Sequence, residues 1–334
     1  MEQFGKTPIF DLHCDTLDRL ALHDVIEQTG IELDDAHIPA ERMSSLVDND
    51  ADIDLTRMLG ATGGWCQCFA AFIPDGLGAD GSWSLFQKVR DYFFGQLAAA
   101  PQLIEQARDA GDIRRIVGEG KCAAVFTVEG GSFIEGSVER VQEAAEAGVK
   151  MLTLTWNGKN AIASGNDTDE GLTDFGRKVL AAMEECHMVV DVSHLNDRSL
   201  RDVLDATQRP LAASHSNARA VCGHPRNLTD YQFSAIAERG GIVGLNFCRD
   251  FLREDGEDPK PDDLLWHVDH WLELGGEHVV ALGSDYDGSK VPSWLDPAEK
   301  VVQLHALFAR EFGAEIADGI CFENACSFFE RNEE

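Results

Sequence analysis

The stretch "IFDLHCDTLDRL" (residues 9–20) carries the reading of the whole chain. Ile9, Phe10 and Leu12 form a short apolar run of the kind a buried strand shows, and His13 and Asp15 follow with only Cys14 between them. Side chains two apart on a strand project to the same side. An imidazole and a carboxylate are therefore expected to face one point at the strand's end. Seven more apolar runs repeat the pattern, at 64–72, 122–129, 150–155, 188–194, 210–215, 240–247 and 278–285. Between several of them lie segments with helical spacing, such as 138–148, 175–187 and 198–208. Alternating strands and helices, with strands apolar along their whole length, imply a parallel sheet covered on both faces. Eight such units predict an α/β fold of the closed (β/α)8 TIM-barrel type. The region from Ser82 to Gly118 reads as two helices, and roughly 14–63 as a long, irregular connection. Neither interrupts the alternation, so residues 1–334 are expected to form a single domain with helical insertions.

Composition narrows the function. The 334 residues include 59 Asp and Glu against 28 Lys and Arg, a formal net charge of −31. Such a field repels phosphate backbones and anionic membrane surfaces, so neither nucleic acid nor a membrane is expected as a partner. The excess acid reads as a solvated surface. No apolar run reaches the length of a membrane span, and "MEQFGKTPIF" lacks the apolar core of a secretory signal. Nine cysteines, odd in number and scattered, suit reduced thiols in a cytoplasm. The lone Cys66-x-Cys68 pair reads as strand packing rather than as a metal site.

The ends of the predicted strands carry the chemistry. His13 and Asp15 end the first, Glu129 the third ("FTVEGG"), His194 the fifth ("DVSH"), His215 the sixth ("AASHS") and Asp285 the eighth ("LGSDYDG"). Singly, each has an ordinary structural explanation: a hydrogen-bonded histidine, a helix cap or a turn, as Asp287-Gly288 reads. Together they occupy the same topological position, and barrel active sites gather at the C-terminal strand ends. Three imidazoles and two carboxylates exceed the needs of one catalytic zinc. They suit two divalent ions sharing a carboxylate and a water. Glu129 is the natural bridge, the bridging water becomes the nucleophile, and Asp285 takes its proton and passes it on.

The blocks "DLHCDT", "VEGG", "LTLTWN", "DVSH", "SHSNARAVCGHPRNLTD" and "GSDYDG" resemble, in order and over nearly the whole chain, the membrane (renal) dipeptidase family. Its members are binuclear zinc dipeptidases of the amidohydrolase superfamily, and His-x-Asp rather than His-x-His on strand one is their specific mark. The resemblance implies His13, Asp15 and Glu129 on one Zn2+, and Glu129, His194 and His215 on the other. It implies Asp285 as proton shuttle and Arg226 as the clamp on the substrate's C-terminal carboxylate, a task that suits a guanidinium fork. It further implies dipeptide substrates, D-residues tolerated at the C-terminal side, and a homodimer. One departure stands out. Where well-known members carry a histidine after "LTLT", this chain has Trp156 followed by Asn157. Trp156 is either an indole donor toward the substrate carbonyl or an apolar wall, and Asn157 is a second donor candidate. The departure keeps open another amidohydrolase activity, on N-acyl amino acids or lactones. The remaining alternative is a non-catalytic binding protein of this fold, which would be expected to have lost a ligand.

Overall fold

A computed structural model describes residues 7–21, 44–62 and 64–333. Among the described residues nine strands form one sheet: β1 (Ile9–Cys14), β2 (Trp65–Phe72), β3 (Ile104–Gln106), β4 (Cys122–Glu129), β5 (Val149–Thr153), β6 (Val189–Asp191), β7 (Ala212–Ala213), β8 (Ile242–Leu245) and β9 (Val280–Leu282). All neighbours are parallel, in the order β2-β1-β9-β8-β7-β6-β5-β4, and pairing of β2 with β4 closes the barrel. The eight expected strands are its eight staves. β3 is an addition that the sequence did not predict. It pairs with Cys122–Ala124 at the start of β4, below the stretch Phe126–Glu129 where β5 begins to pair. It lies between the two helices expected after Ser82, which run Gly78–Ala99 and Ala110–Gly118. Of the long connection expected over roughly 14–63, residues 22–43 and 63 lie outside the described residues.

Two buried clusters explain why the chain closes this way. One draws Phe10, Leu12, Cys66, Cys68, Ala123, Val125, Met151, Val189, Ala212, Ile242 and Ala281 together. A cluster taking residues from all eight staves can meet only inside the barrel, and its many alanines and cysteines fit that narrow lumen. Cys66 and Cys68 are thus packing residues, as their position suggested. Phe322 and Phe329 join this cluster from the C-terminal helical segment, and Phe10 stacks on Phe329 with ring centroids 5.6 Å apart. The second cluster takes the remaining strand residues, among them Ile9, Phe69, Phe126, Val243 and Leu282, and packs them against the outer helices. Among the described residues no helix is long and apolar enough to cross a membrane.

The helices after β5 and β6 start where side chains satisfy their free N–H groups. Thr173 accepts from Gly176 N–H to open Asp174–Glu185, and Asn196 accepts from Ser199 N–H to open Asp197–Ala206. Asn196 stands two residues after His194, so the cap also determines where the β6 loop ends. In β1 the pairing with β2 slips between Asp11 and Cys14, which breaks the simple alternation just before His13. Asp15 lies one residue beyond β1, so the approach of His13 and Asp15 does not come from an unbroken strand.

Candidate metal centre

All six ionisable residues from the strand ends meet at one mouth of the barrel, and all six are buried. His13 Nε2 lies 3.3 Å from Asp15 Oδ2, 3.7 Å from Glu129 Oε2 and 3.9 Å from Asp285 Oδ1. Glu129 Oε1 lies 2.7 Å from His194 Nε2 and 3.5 Å from His215 Nε2. The two oxygens of Glu129 thus face two different groups of partners. Ligand atoms of His13, Glu129 and His215 lie within 4.8 Å of one another, and so do those of His13, Asp15 and Asp285.

Several features show that this donor set fits divalent cations. His13 Nε2 is buried among carboxylates with no hydrogen-bond partner. His194 Nε2 and His215 Nε2 face each other at 2.9 Å. His194 holds its other nitrogen, Nδ1, 2.7 Å from Asn157 Oδ1, an acceptor that calls for a proton on that side. Its Nε2 is then a bare lone pair aimed into the cluster, as ligation requires. The electrostatics agree. Although burial opposes charge on His13, Asp15, Glu129 and Asp285 raise its pKa to about 10, so this position attracts positive charge. Burial, with Asp15 next, pushes Glu129 well above the carboxylate range. Burial, with Arg226 and His13 adding to it, holds His194 and His215 well below the usual imidazole value. Two imidazoles held neutral, and a third drawn toward positive charge by crowded acids, form a composition that cations between them relieve.

The backbone is shaped for this arrangement. His194 (φ 67°), Asp285 (φ 64°) and Asp287 (φ 67°) occupy the left-handed region although none is glycine. Each costs about 1 kcal/mol or more, and such outliers concentrate at functional sites. Asn166 donates to the His194 carbonyl at 2.8 Å and holds that turn in place. Asp285 Oδ2 accepts from Asn246 Nδ2 at 3.0 Å. Burial, with Asp15 reinforcing it, raises Asp285 to about 6. Asp287 is more than a turn residue. Its carboxylate accepts from Thr16 Oγ1 at 2.5 Å and from Asp52 N–H at 2.8 Å, and its carbonyl accepts from Arg19 Nε at 2.6 Å. These bonds tie the segment around residue 52 to the mouth.

Arg226 lies at the same mouth, 7 % exposed, with a 3.5 Å bond from Nη2 to the His215 carbonyl and its Nε buried without a partner. Its guanidinium carbon stands 5.4 Å from the Phe251 ring centroid. Trp156 is half-buried and edge-on to Phe72, with centroids 5.1 Å apart. Asn157, which the sequence reading offers as a substrate donor, holds the His194 imidazole in this structure. Sequence reasoning missed Asn246, whose signal was a lone polar residue near the end of the apolar run "GGIVGLNF", and Gly288. A Cβ on Gly288 would overlap Asp15 Oδ2 outright and come within 2.6 Å of Asp285 Oδ1.

Comparison with known proteins points the same way. Residues 3–334 match the family model for the membrane dipeptidases, peptidase family M19. The chain resembles a metallopeptidase of Rhodobacter sphaeroides, solved with a phosphinate mimic of the dipeptide L-Ala-D-Ala. The two are 27% identical with a TM-score of 0.84, covering 98% of this chain and 99% of that one. A solved dipeptidase of family M19 is 28% identical, with a TM-score of 0.84 over the same shares of both chains. An uncharacterised protein of Klebsiella pneumoniae is 34% identical over 253 residues, 70% of this chain and 93% of its own length. The chain belongs to the membrane dipeptidase family, peptidase family M19, and is a metal-dependent dipeptidase.

Proposed function

We propose that the chain hydrolyses dipeptides, including those with a C-terminal D-residue, using two zinc ions and with residues 1–334 as one catalytic unit. His13, Asp15 and Glu129 would hold one ion, and Glu129, His194 and His215 the other. The observation that carries this reading is the division of Glu129, with Oε2 toward His13 and Oε1 toward His194 and His215. When bound, the ions supply a water acidic enough to attack at neutral pH and positive charge for the scissile carbonyl oxygen.

The remaining steps belong to side chains. Asp285 is placed to accept the proton of the attacking water and deliver it to the leaving amine. Asn246 fixes one of its oxygens and leaves the other free to turn toward the reacting atoms. Arg226 is a buried cation with donors to spare, which suits the free carboxylate at a dipeptide's C-terminus. Trp156 packs edge-on to Phe72, and its indole N–H would serve as a donor to the carbonyl oxygen if it faces the substrate. The L-Ala-D-Ala mimic held by the Rhodobacter sphaeroides relative supports the D-residue assignment. All nine cysteines are free thiols, which supports a cytoplasmic location.

Elemental analysis of the purified full chain tests the reading, with about two zinc ions per chain expected. Chelation should abolish hydrolysis of L-Ala-D-Ala and zinc should restore it. Glu129→Gln should weaken both sites together, because the bridge serves each ion. One ion or none in fully active protein would overturn the binuclear assignment.

A further inference from the structure

The motifs "DVSH" and "AASHS" contain three residues that the metal centre does not explain: Asp191, Ser193 and Ser214. Asp191 ends β6 and is fully buried. Four donors converge on its carboxylate. Oδ1 accepts the backbone N–H of Ser193 at 3.0 Å and of Ser214 at 2.9 Å. Oδ2 accepts the hydroxyls of Thr153 at 2.6 Å and Ser214 at 2.5 Å. A carboxylate only accepts, so both hydroxyls must donate to it.

That assignment has a consequence one bond further on. Ser214 Oγ also lies 2.7 Å from His215 Nδ1. A serine has a single hydroxyl proton, and Asp191 has taken it. Toward His215 the hydroxyl can only accept, so the ring proton must sit on Nδ1 and the lone pair on Nε2. Nε2 is the nitrogen that faces Glu129 and His194. Ser193 steadies the same residue from its backbone, its Oγ accepting the His215 N–H at 3.1 Å. We propose that Asp191 is a positioning residue that sets the tautomer of His215 through Ser214, and thereby tunes how tightly one of the two ions is held. This rests on the binuclear reading above. Asp191 belongs to neither group of candidate ligands.

The fold supplies its own control. On the neighbouring staves β1 and β9, Asp11 clasps Ser284 in the same way, accepting its N–H at 2.7 Å and its hydroxyl at 2.5 Å. Ser284 precedes Asp285 as Ser214 precedes His215. Its hydroxyl also contacts the His13 carbonyl at 3.1 Å and the Tyr286 N–H at 3.2 Å, but no imidazole nitrogen. Ser284→Ala therefore removes a matching hydroxyl–carboxylate bond without touching a ring tautomer.

The test uses the zinc-loaded full chain and the variants Ser214→Ala, Ser214→Thr and Ser284→Ala. Zinc is titrated off with a chromophoric chelator, and the histidine ring N–H signals are followed by 15N NMR. Ser214→Ala should weaken one of the two ions by about 10–100-fold, as loss of a ligand's supporting hydrogen bond does, and leave the other in place. The Nδ1–H signal of His215 should lose its protection from solvent exchange. Ser214→Thr, which keeps the hydroxyl, should restore both properties, and Ser284→Ala should leave the His215 signal unchanged. Wild-type zinc retention and an unchanged His215 signal in Ser214→Ala would overturn the proposal. So would an equal effect of Ser284→Ala on zinc and on that signal, which would make the clasp merely structural. Wild-type protein binding fewer than two ions would instead bring down the binuclear reading beneath it.

Discussion

Gly288→Ala perturbs the candidate metal centre with one methyl group. The φ of Gly288 is not in the left-handed region, so its backbone conformation is open to alanine. The effect must then come from space. The added Cβ would overlap Asp15 Oδ2 and stand 2.6 Å from Asp285 Oδ1, whereas ordinary contact begins near 3.4 Å. Asp15 must retreat by more than about 1 Å, and a displacement of that size at a reacting centre costs about 100-fold in turnover. This corresponds to about 2.7 kcal/mol of transition-state stabilisation. Under the proposed binuclear assignment the same retreat would remove a carboxylate from the ion held by His13, so metal should be lost selectively from that side. The assay pairs kcat and kcat/KM on L-Ala-D-Ala with chelator titration of the zinc, and with thermal unfolding to verify the fold. A folded alanine variant with wild-type turnover and zinc retention would refute the reasoning, because the carboxylates would then not need the place they occupy.

Asp285→Asn should lower turnover by about 10²–10⁴-fold, the range for a general acid–base group, and pH–rate profiles of both proteins check the assignment. If Arg226 clamps the substrate's carboxylate, Arg226→Ala and C-terminal amidation should each lower kcat/KM several-fold, and their combination should fall far short of multiplicative. Trp156→Phe keeps the packing against Phe72 but deletes the N–H. A fall in kcat at unchanged inhibitor affinity marks a donor, whereas tolerance of Phe with weakened binding in Trp156→Ala marks a wall. Stability should depend on pH through His267, whose Nδ1 accepts the Ala218 N–H at 3.1 Å and whose Nε2 donates to the Leu252 carbonyl at 3.3 Å. Burial lowers its pKa to about 4, so its stabilisation is complete above the ordinary value near 6.5 and is lost as pH falls toward 4. That loss is about 3 kcal/mol, readable as a flatter acid limb of urea unfolding in His267→Gln.

The architecture was legible in the chain because it depends on local pattern. Apolar strands such as 122–129, alternating with amphipathic helices, have few ways to hide both faces, and a closed parallel barrel is the one that eight units adopt. The candidate ligands were legible for a related reason. His194 or Glu129 stands out against an apolar strand, and its place at the strand's end follows from the alternation alone. What the pattern does not contain is how side chains from distant segments approach one another. The slip in β1 before His13, the two-way division of Glu129, and Asn157 turned onto His194 arise only when strands far apart in sequence are brought side by side. Gly288 reads as half of a turn until Asp15, more than 270 residues earlier, lies against it. Asp191 reads as the polar end of a strand until β7 places Ser214 on its carboxylate. Local sequence sets backbone preference and burial, whereas closed contact and proton placement depend on rotamers that packing across the barrel selects.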